Sequence, residues 1–233
     1  MTGTAPISAI VPLFNGRRFI REAIDSILAQ ELKPREIVVV DDGSTDGGAL
    51  LLSDYPEIRL VRQPNGGEAA ARNCGLQEST QPMIAFLDQD DLWLRRKLTL
   101  QLRALEANSS IDIVFGQHRI FVEDDARWFR QDLLEKVLVA ELPGCLLIKR
   151  AVFERIGPYC EDMRLGSDVD WICRAKDAGI KSQLVEEVLL LRRMHQANSS
   201  INKALFRSGL LRVARDSVRR KRRLSAHSGC AVF

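Results

Sequence analysis

Met83-Ile84-Ala85-Phe86-Leu87, running straight into Asp88-Gln89-Asp90-Asp91, is the stretch on which the reading of this chain turns. Five consecutive apolar residues ended by acids have the length of a strand covered on both faces, the pattern of a parallel sheet. Carboxylates at the lip of such a strand are costly unless positive charge meets them. Mg²⁺ or Mn²⁺ would answer that need, because these hard cations take oxygen ligands and are often held by one or two carboxylates plus the oxygens of a bound phosphate. The competing reading makes these acids a solvated loop, with Asp91 capping a helix that begins at Leu92. For Asp91 the capping reading is preferred.

The same alternation extends outward in both directions. Ile7 to Val11 reads as a strand and Phe19 to Leu28 as a helix; Glu36 to Val40 is a strand followed by a turn. Ile58 to Arg62 is a strand before the helical stretch Glu68 to Leu76, and the acidic run leads into a helix over Leu92 to Ala107. Further on, Val169 to Ala178 reads as a helix and Val188 to Leu191 as a strand. Apolar strands separated by helices predict an α/β fold with a mostly parallel central sheet flanked by helices. Ligands of such sheets bind at the carboxyl ends of the strands. Pro12, Phe14 and Asn15 stand there after the first strand, Asp41 and Asp42 after the second, Asp88 and Asp90 after the fourth. Neither GxGxxG nor GxxxxGK[ST] occurs, so a glycine-rich loop alone would not cradle phosphates.

Composition sets the outer limits. With 233 residues, 45% hydrophobic and 28% charged, the chain can bury a sizeable core as one large domain or two small ones. Its five cysteines show no metal spacing and no CxxC pair, which fits reduced thiols in a cytoplasmic protein. No run approaches the roughly 20 apolar residues of a membrane span. The net charge of +3 is uneven: residues 203–223 carry nine basic side chains and one acid, leaving 25 basic against 30 acidic elsewhere. Phe206, Leu210, Leu211, Ala214 and Val218 fall at helical spacing among those arginines. That pattern reads as an amphipathic basic helix able to lie on the inner membrane face, or as a helix packed on the domain. Nucleic acid is not expected as a partner, because the body is acidic and aromatics make up only 6%.

Four segments in succession resemble the signatures of family 2 glycosyltransferases with the GT-A fold: 8–15 (SAIVPLFN), 36–46 (EIVVVDDGSTD), 65–75 (NGGEAAARNCG) and 86–93 (FLDQDDLW). Segments 143–150, 153–157 and 166–174 resemble the acceptor half, and 193–200 the closing motif. The resemblance covers roughly residues 6–202. It implies one domain over 1–202, with a donor half near 6–110 and an acceptor half near 111–202, and a basic tail over 203–233.

The resemblance also implies roles. Phe14 stacks on the donor's base, Asp42 hydrogen-bonds it, Asp88 holds the ribose or diphosphate region, and Asp90 ligates the metal. Pro12 and Asn15 belong to the same nucleotide loop. Arg72 fits a helix near the diphosphate, with a solvated position as the alternative. His195 resembles a late histidine that contacts the metal or the departing diphosphate. Asp168 falls where the family carries its general base, although Ser167 replaces the preceding glutamate; Asp170 is the competing acid, and both could simply sit at a helix start. Core aromatics are the alternative for Trp93 and Trp171, and His118 reads as a satisfied strand residue. One of Arg192 and Arg193 must point away from any bound phosphate if they lie on a strand.

The implied activity is an inverting, metal-dependent, non-processive transfer of one sugar from a nucleoside-diphosphate sugar to an acceptor hydroxyl, in surface polysaccharide or glycoconjugate biosynthesis. The acceptor is a saccharide, a lipid-linked saccharide or another hydroxyl compound. Nothing resembles the Gln-x-x-Arg-Trp signature of processive synthases. The alternatives are a sugar nucleotidyltransferase, which would carry a basic glycine-rich loop after the first strand, and a sugar-nucleotide-binding module without turnover.

Overall fold

The computed structural model describes residues 3–126, 129–134, 136–198 and 203–228, without the side chains of residues 131, 203–206 and 223–228. Its strands are β1 (Thr4–Leu13), β2 (Lys33–Asp41), β3 (Ile58–Arg62), β4 (Met83–Phe86), β5 (Leu92–Trp93), β6 (Ile113–Val122), β7 (Leu138–Val139), β8 (Leu146–Lys149) and β9 (Ser182–Met194). Helices α1 (Ile20–Leu28), α2 (Glu68–Glu78), α3 (Lys97–Ala107), α4 (Arg150–Ile156), α5 (Ser167–Asp177) and α6 (Lys203–Ser228) cover them. The strands form one sheet in the order β3-β2-β1-β4-β8-β6-β9-β5, with β7 also paired to β6. The first four are mutually parallel, β8 turns antiparallel between β4 and β6, and the long β6–β9 pair is parallel again. This is the α/β arrangement expected from the alternation of apolar runs and helical stretches.

Burial on both faces explains why β1, β2 and β4 are almost continuously apolar. On one side α1 presents Ile20, Ala23, Ile24 and Ile27, spaced as one helical face, to Val11, Leu13, Ile37 and Val39. On the other, Ile10, Ile84 and Phe86 meet Phe153, Tyr159 and Trp171. Trp171 is fully buried and stacks on Phe153 at 4.5 Å, donating its indole N–H to Gly157 O. Trp93 is also buried and donates to Gly144 O, so both tryptophans are core residues rather than pocket walls.

The parallel register decides where the loops go. The Asp42 N–H donates to Leu13 O at 2.8 Å, and the Leu87 N–H to Ile10 O at 3.0 Å. The segments that follow β2 and β4 therefore leave beside the carboxyl end of β1, and Asp42 and Asp88 open onto one rim.

One boundary differs from the sequence reading in a way that changes a residue's role. Leu92 and Trp93 are a short strand paired antiparallel with Leu191 and Leu190, and α3 does not start until Lys97. Asp91 therefore caps no helix. It is buried and accepts the Arg193 N–H at 2.8 Å, tying the acidic loop to the end of β9. Local pattern favoured a helix because the partner strand lies about a hundred residues away.

The basic tail is helical and packed. α6 lies along α5, with Val213 buried and the Ser217 hydroxyl and Arg220 Nε both on Asp177 Oδ2 at 2.8 and 2.9 Å. Residues 199–202, where the domain was expected to end, lie outside the described residues. The four cysteines described, Cys74, Cys145, Cys160 and Cys173, are free thiols. Among the described residues no helix is long and apolar enough to cross a membrane.

Candidate active site

The rim opens into a cleft of about 820 Å³ lined by the loops after β1, β2 and β4, the start of α2, and the segment after β9. Pro12, Phe14, Asn15, Asp42, Asp88, Asp90 and His195 all border it. Three loops distant in sequence thus meet as the strand order requires.

At one end the loop after β1 is held open as a platform. Phe14 leaves 46% of its surface exposed, which no core aromatic would do. Its backbone is gripped by Gln89, whose Oε1 accepts the Phe14 N–H at 2.8 Å and whose amide donates to Phe14 O at 3.0 Å. Gly16 leaves room for that grip, since a Cβ there would collide with the Gln89 amide. Asn15 adopts φ 49°, a left-handed conformation that asparagine tolerates, and its Oδ1 accepts the Thr45 N–H at 2.8 Å. Gln89, between Asp88 and Asp90, carries no local mark of this role in the sequence, because the backbone it grips lies 75 residues away.

Asp42 is almost fully buried, and its two oxygens accept from Gln63 Nε2, Gly66 N and Gly67 N at 2.7 to 2.8 Å. It fastens the turn that leads into α2, and any ligand must use the lone pairs left over. Asp42 is therefore an anchor for the cleft wall as well as a candidate contact.

The centre of the cleft is built around Arg72. The sequence left open whether this residue stands in water; it is 2% exposed. Its Nη2 bridges Glu68 and Asp88, the latter at 2.6 Å, and its guanidinium stands 5.6 Å over the Tyr159 ring. Arg72 pulls the Glu68 carboxyl down, while the crowded cleft wall and the negative charges of Asp88, Asp168 and Asp90 push it up; the net direction is upward, tempered by the 43% of the side chain that faces water. Burial, with Asp90 and Asp88 next, also pushes the Asp91 carboxyl well above the usual range. Negative charge is in excess here. Glu68, at the first turn of α2, was not singled out in the sequence.

Basic groups near the cleft are mostly spoken for. Arg18 pairs with Glu123 and Asp125 at 2.9 and 2.5 Å. Arg193 pairs with Glu22 and Glu123 at 2.7 and 2.5 Å, between the rings of Phe19 and Phe121. Arg192 lines the cleft from β9, and its guanidinium makes no hydrogen bond or ion pair among the described residues. Of the two neighbouring arginines, Arg193 is the structural one.

At the far end Asp90 Oδ2 meets His195 Nε2 at 2.9 Å and Asn198 Nδ2 at 3.1 Å. The Ala197 N–H donates to His195 Nδ1 at 3.2 Å, so the ring proton sits on Nε2 and points at Asp90. Among the described residues no group of three or more His, Cys, Asp or Glu side chains could hold a metal ion by itself. A cation held by one or two carboxylates and completed by phosphate oxygens asks for less, and Asp90 fits it: a cleft carboxylate in surplus negative charge. His195 fits as a ligand only if its proton moves to Nδ1, where it would face the Ala197 N–H. As arranged, it orients Asp90.

Asp168 and Asp170 part ways. Asp170 is buried and paired with Arg174 at 2.8 Å and Arg220 at 3.6 Å. Asp168, at the first turn of α5 next to buried Ser167, has no such partner among the described residues, and its charge reaches Glu68, Arg72 and Tyr159. It does not border the cleft itself but sits beside its central wall. His118, expected to be satisfied, is buried on β6 with Nδ1 unpartnered; burial first and Arg192 second lower it to about 4, so it stays neutral.

The description Glycosyl transferase family 2 matches residues 8–170. An uncharacterized glycosyltransferase of Rickettsia prowazekii is 32% identical over 210 residues, covering 83% of this chain and 65% of the relative. One from Nostoc is 31% identical over 222 residues, covering 85% and 67%. Among solved structures, Staphylococcus aureus TarS 1–349 in complex with UDP-GlcNAc superposes with a TM-score of 0.71 at 18% identity, over 84% of this chain and 60% of that one. The mannosyltransferase PcManGT of Pyrobaculum calidifontis, in complex with GDP-Man and Mn²⁺, gives 0.72 at 23% identity, over 92% and 64%. These structural likenesses concern the fold, which is that of GT-A glycosyltransferases. The chain spans 65% of the length of the Rickettsia relative.

Proposed function

The chain belongs to glycosyl transferase family 2, and from that premise we propose that it is an inverting, metal-dependent, non-processive glycosyltransferase that moves one sugar from a nucleoside-diphosphate sugar to an acceptor hydroxyl. The observation that carries this reading is the convergence in one cleft of an exposed aromatic, Phe14, with the Asp42, Asp88 and Asp90 carboxylates and the cation Arg192. Two solved relatives of the fold are complexes with UDP-GlcNAc and with GDP-Man and Mn²⁺, which agrees with a nucleotide sugar as donor.

In this reading Phe14 offers a planar apolar face to the nucleobase, and Asp42 accepts a base N–H through its remaining lone pairs. Asp88, steered by Arg72, accepts hydroxyls of the ribose, while Pro12 and Asn15 shape the loop beneath. Arg192 donates to the diphosphate. Asp90, oriented by His195 and Asn198, would hold Mn²⁺ or Mg²⁺, which when bound neutralises charge on the diphosphate leaving group.

The base of the transfer step is assigned to Asp168, which stands beside the central wall of the cleft and carries no pairing cation among the described residues. The acceptor hydroxyl gives its proton to the Asp168 carboxylate as its oxygen attacks the anomeric carbon. The new C–O bond forms as the bond from that carbon to the diphosphate oxygen breaks, from the opposite side, so the anomeric configuration inverts. A base within hydrogen-bond reach of that hydroxyl contributes roughly 10²- to 10⁴-fold. Asp170, held by Arg174 and Arg220, is the poorer candidate. The product serves surface polysaccharide or glycoconjugate synthesis.

The test is a panel of nucleotide sugars offered with and without Mn²⁺, products read by mass spectrometry. Release of a nucleoside diphosphate with glycosylated acceptor or free sugar, dependent on metal, supports the proposal. Release of pyrophosphate would instead mean nucleotidyl transfer, and saturable binding with no release would mean a module without turnover.

A further inference from the structure

We propose that the outward face of α6 is a docking surface for an anionic lipid bilayer. α6 has two faces with different fates. Gly209, Val213, Ser217 and Arg220 follow at helical spacing along α5: Gly209 lies so close to Leu165 O that a Cβ would collide with it, Val213 is buried, and Ser217 and Arg220 hold Asp177. These contacts run from the start of α5 to its end and fix the helix about its axis. The opposite face is thereby turned outward.

On that face Arg207, Leu211, Arg215, Val218 and Arg222 recur at spacings of four, four, three and four, with Arg219 beside them. All are exposed; Leu211 leaves 66% and Val218 50% of its surface uncovered. Asp216, the single acid between Lys203 and Arg223, pairs with Arg215 at 3.4 Å and Arg219 at 3.9 Å and offsets one of the stripe's positive charges, leaving the face net basic. Counted from Leu211 to Arg222 the stripe is about 16 Å long. Its mixture of chemistry selects the occupant. Leucine and valine gain by leaving water, while the arginines around them gain from negative charge, and an interfacial bilayer supplies both in one plane. Nucleic acid would satisfy the arginines but leave Leu211 and Val218 unrewarded, and the face carries no aromatic for base stacking. The remainder of the chain, with 25 basic and 30 acidic residues, is repelled by the same surface, so the attraction is confined to this side and orients the molecule.

The experiment uses the full chain and sedimentation with vesicles of phosphatidylcholine, pure or containing a third phosphatidylglycerol. The chain should pellet with the anionic vesicles, stay in solution with the neutral ones, and release as salt is raised. Leu211→Ser with Val218→Ser should lower the partition coefficient at least tenfold. Arg215→Gln with Arg219→Gln should lower it on the order of 30-fold. Both pairs lie on the solvent face and should keep the native thermal midpoint. Native-like partitioning of either variant, or failure of the native chain to bind anionic vesicles, overturns the proposal. So does tight retention on single-stranded RNA that the Leu211 and Val218 substitutions leave unchanged, without vesicle binding. None of these readouts depends on sugar transfer, so the proposed activity can fail or hold separately.

Discussion

Replacing Lys97 by methionine should flatten the pH dependence of stability in a way that can be worked out in advance. The lysine is fully buried at the start of α3, its Nζ 2.7 Å from Gln101 Oε1 and 3.0 Å from Leu146 O, and 4.4 Å from the Trp93 ring centre. Among the described residues no carboxylate pairs with it. Burial therefore lowers it from 10.5 to about 7. Between those two values the unfolded chain binds a proton that the folded chain does not, so stability rises with pH across this window. Below 7 both states carry the proton and the penalty stands in full. The whole window is worth about 5 kcal/mol at about 1.4 kcal/mol per pH unit. From pH 7.5 to 9.5 the native protein should thus gain about 2 to 3 kcal/mol that Lys97→Met does not. At a urea slope of about 2 to 3 kcal/mol/M this moves the difference between their midpoints by about 1 M. The absolute difference at one pH is less direct, because methionine leaves Gln101 Oε1 and Leu146 O without a donor, at about 1 to 3 kcal/mol each. The slope removes that constant. Urea titrations of both proteins at several pH values in this range are the assay, and parallel midpoint curves would refute the account of Lys97.

Three further substitutions probe the cleft. Asp168→Asn should retain donor affinity while lowering the rate of transfer by 10²- to 10⁴-fold, measured by steady-state kinetics; a near-native rate would move the base elsewhere. Gln89→Ala should raise the KM for donor with little change in kcat, since it frees the Phe14 platform without touching reacting atoms, and Gln89→Asn should not restore it because the shorter amide cannot reach both backbone groups. Arg72→Met should destabilise the fold by about 2 to 3 kcal/mol, the strength of charge-assisted hydrogen bonds lost to partly exposed Asp88 and Glu68. Chemical denaturation checks it, and an unchanged midpoint would show that Arg72 does not organise the acids.

What could be read from the residues beforehand was whatever local pattern determines. The parallel half of the sheet announced itself because β1, β2 and β4 are apolar on both faces, and the placement of Asp42 and Asp88 on one rim follows from parallel register alone. What escaped was decided by partners far along the chain. Leu92 and Trp93 become a strand because Leu190 and Leu191 lie beside them, and Asp91 is taken by the Arg193 N–H instead of a helix. Arg72 had no local mark of burial, since Asp88 and Tyr159, its covers, come from β4's loop and the segment before α5. Arg192 and Arg193 look equivalent in sequence, and only the rings of Phe19 and Phe121 with Glu22 and Glu123 make one of them structural. Of the two readings of the tail, the packed helix is the one the fold shows, and α6 leaves its other face exposed.

In the proposed reading the acids of this rim hold a donor through a cation at Asp90. Calorimetric titration of UDP and of GDP into the native protein and Asp90→Asn, each with and without Mn²⁺, tests it most directly. One nucleotide should bind the native protein at least tenfold more tightly with Mn²⁺, and Asp90→Asn should lose that gain while keeping its thermal midpoint. Equal affinity with and without metal, or an Asp90→Asn protein that responds to Mn²⁺ as the native one does, would contradict it.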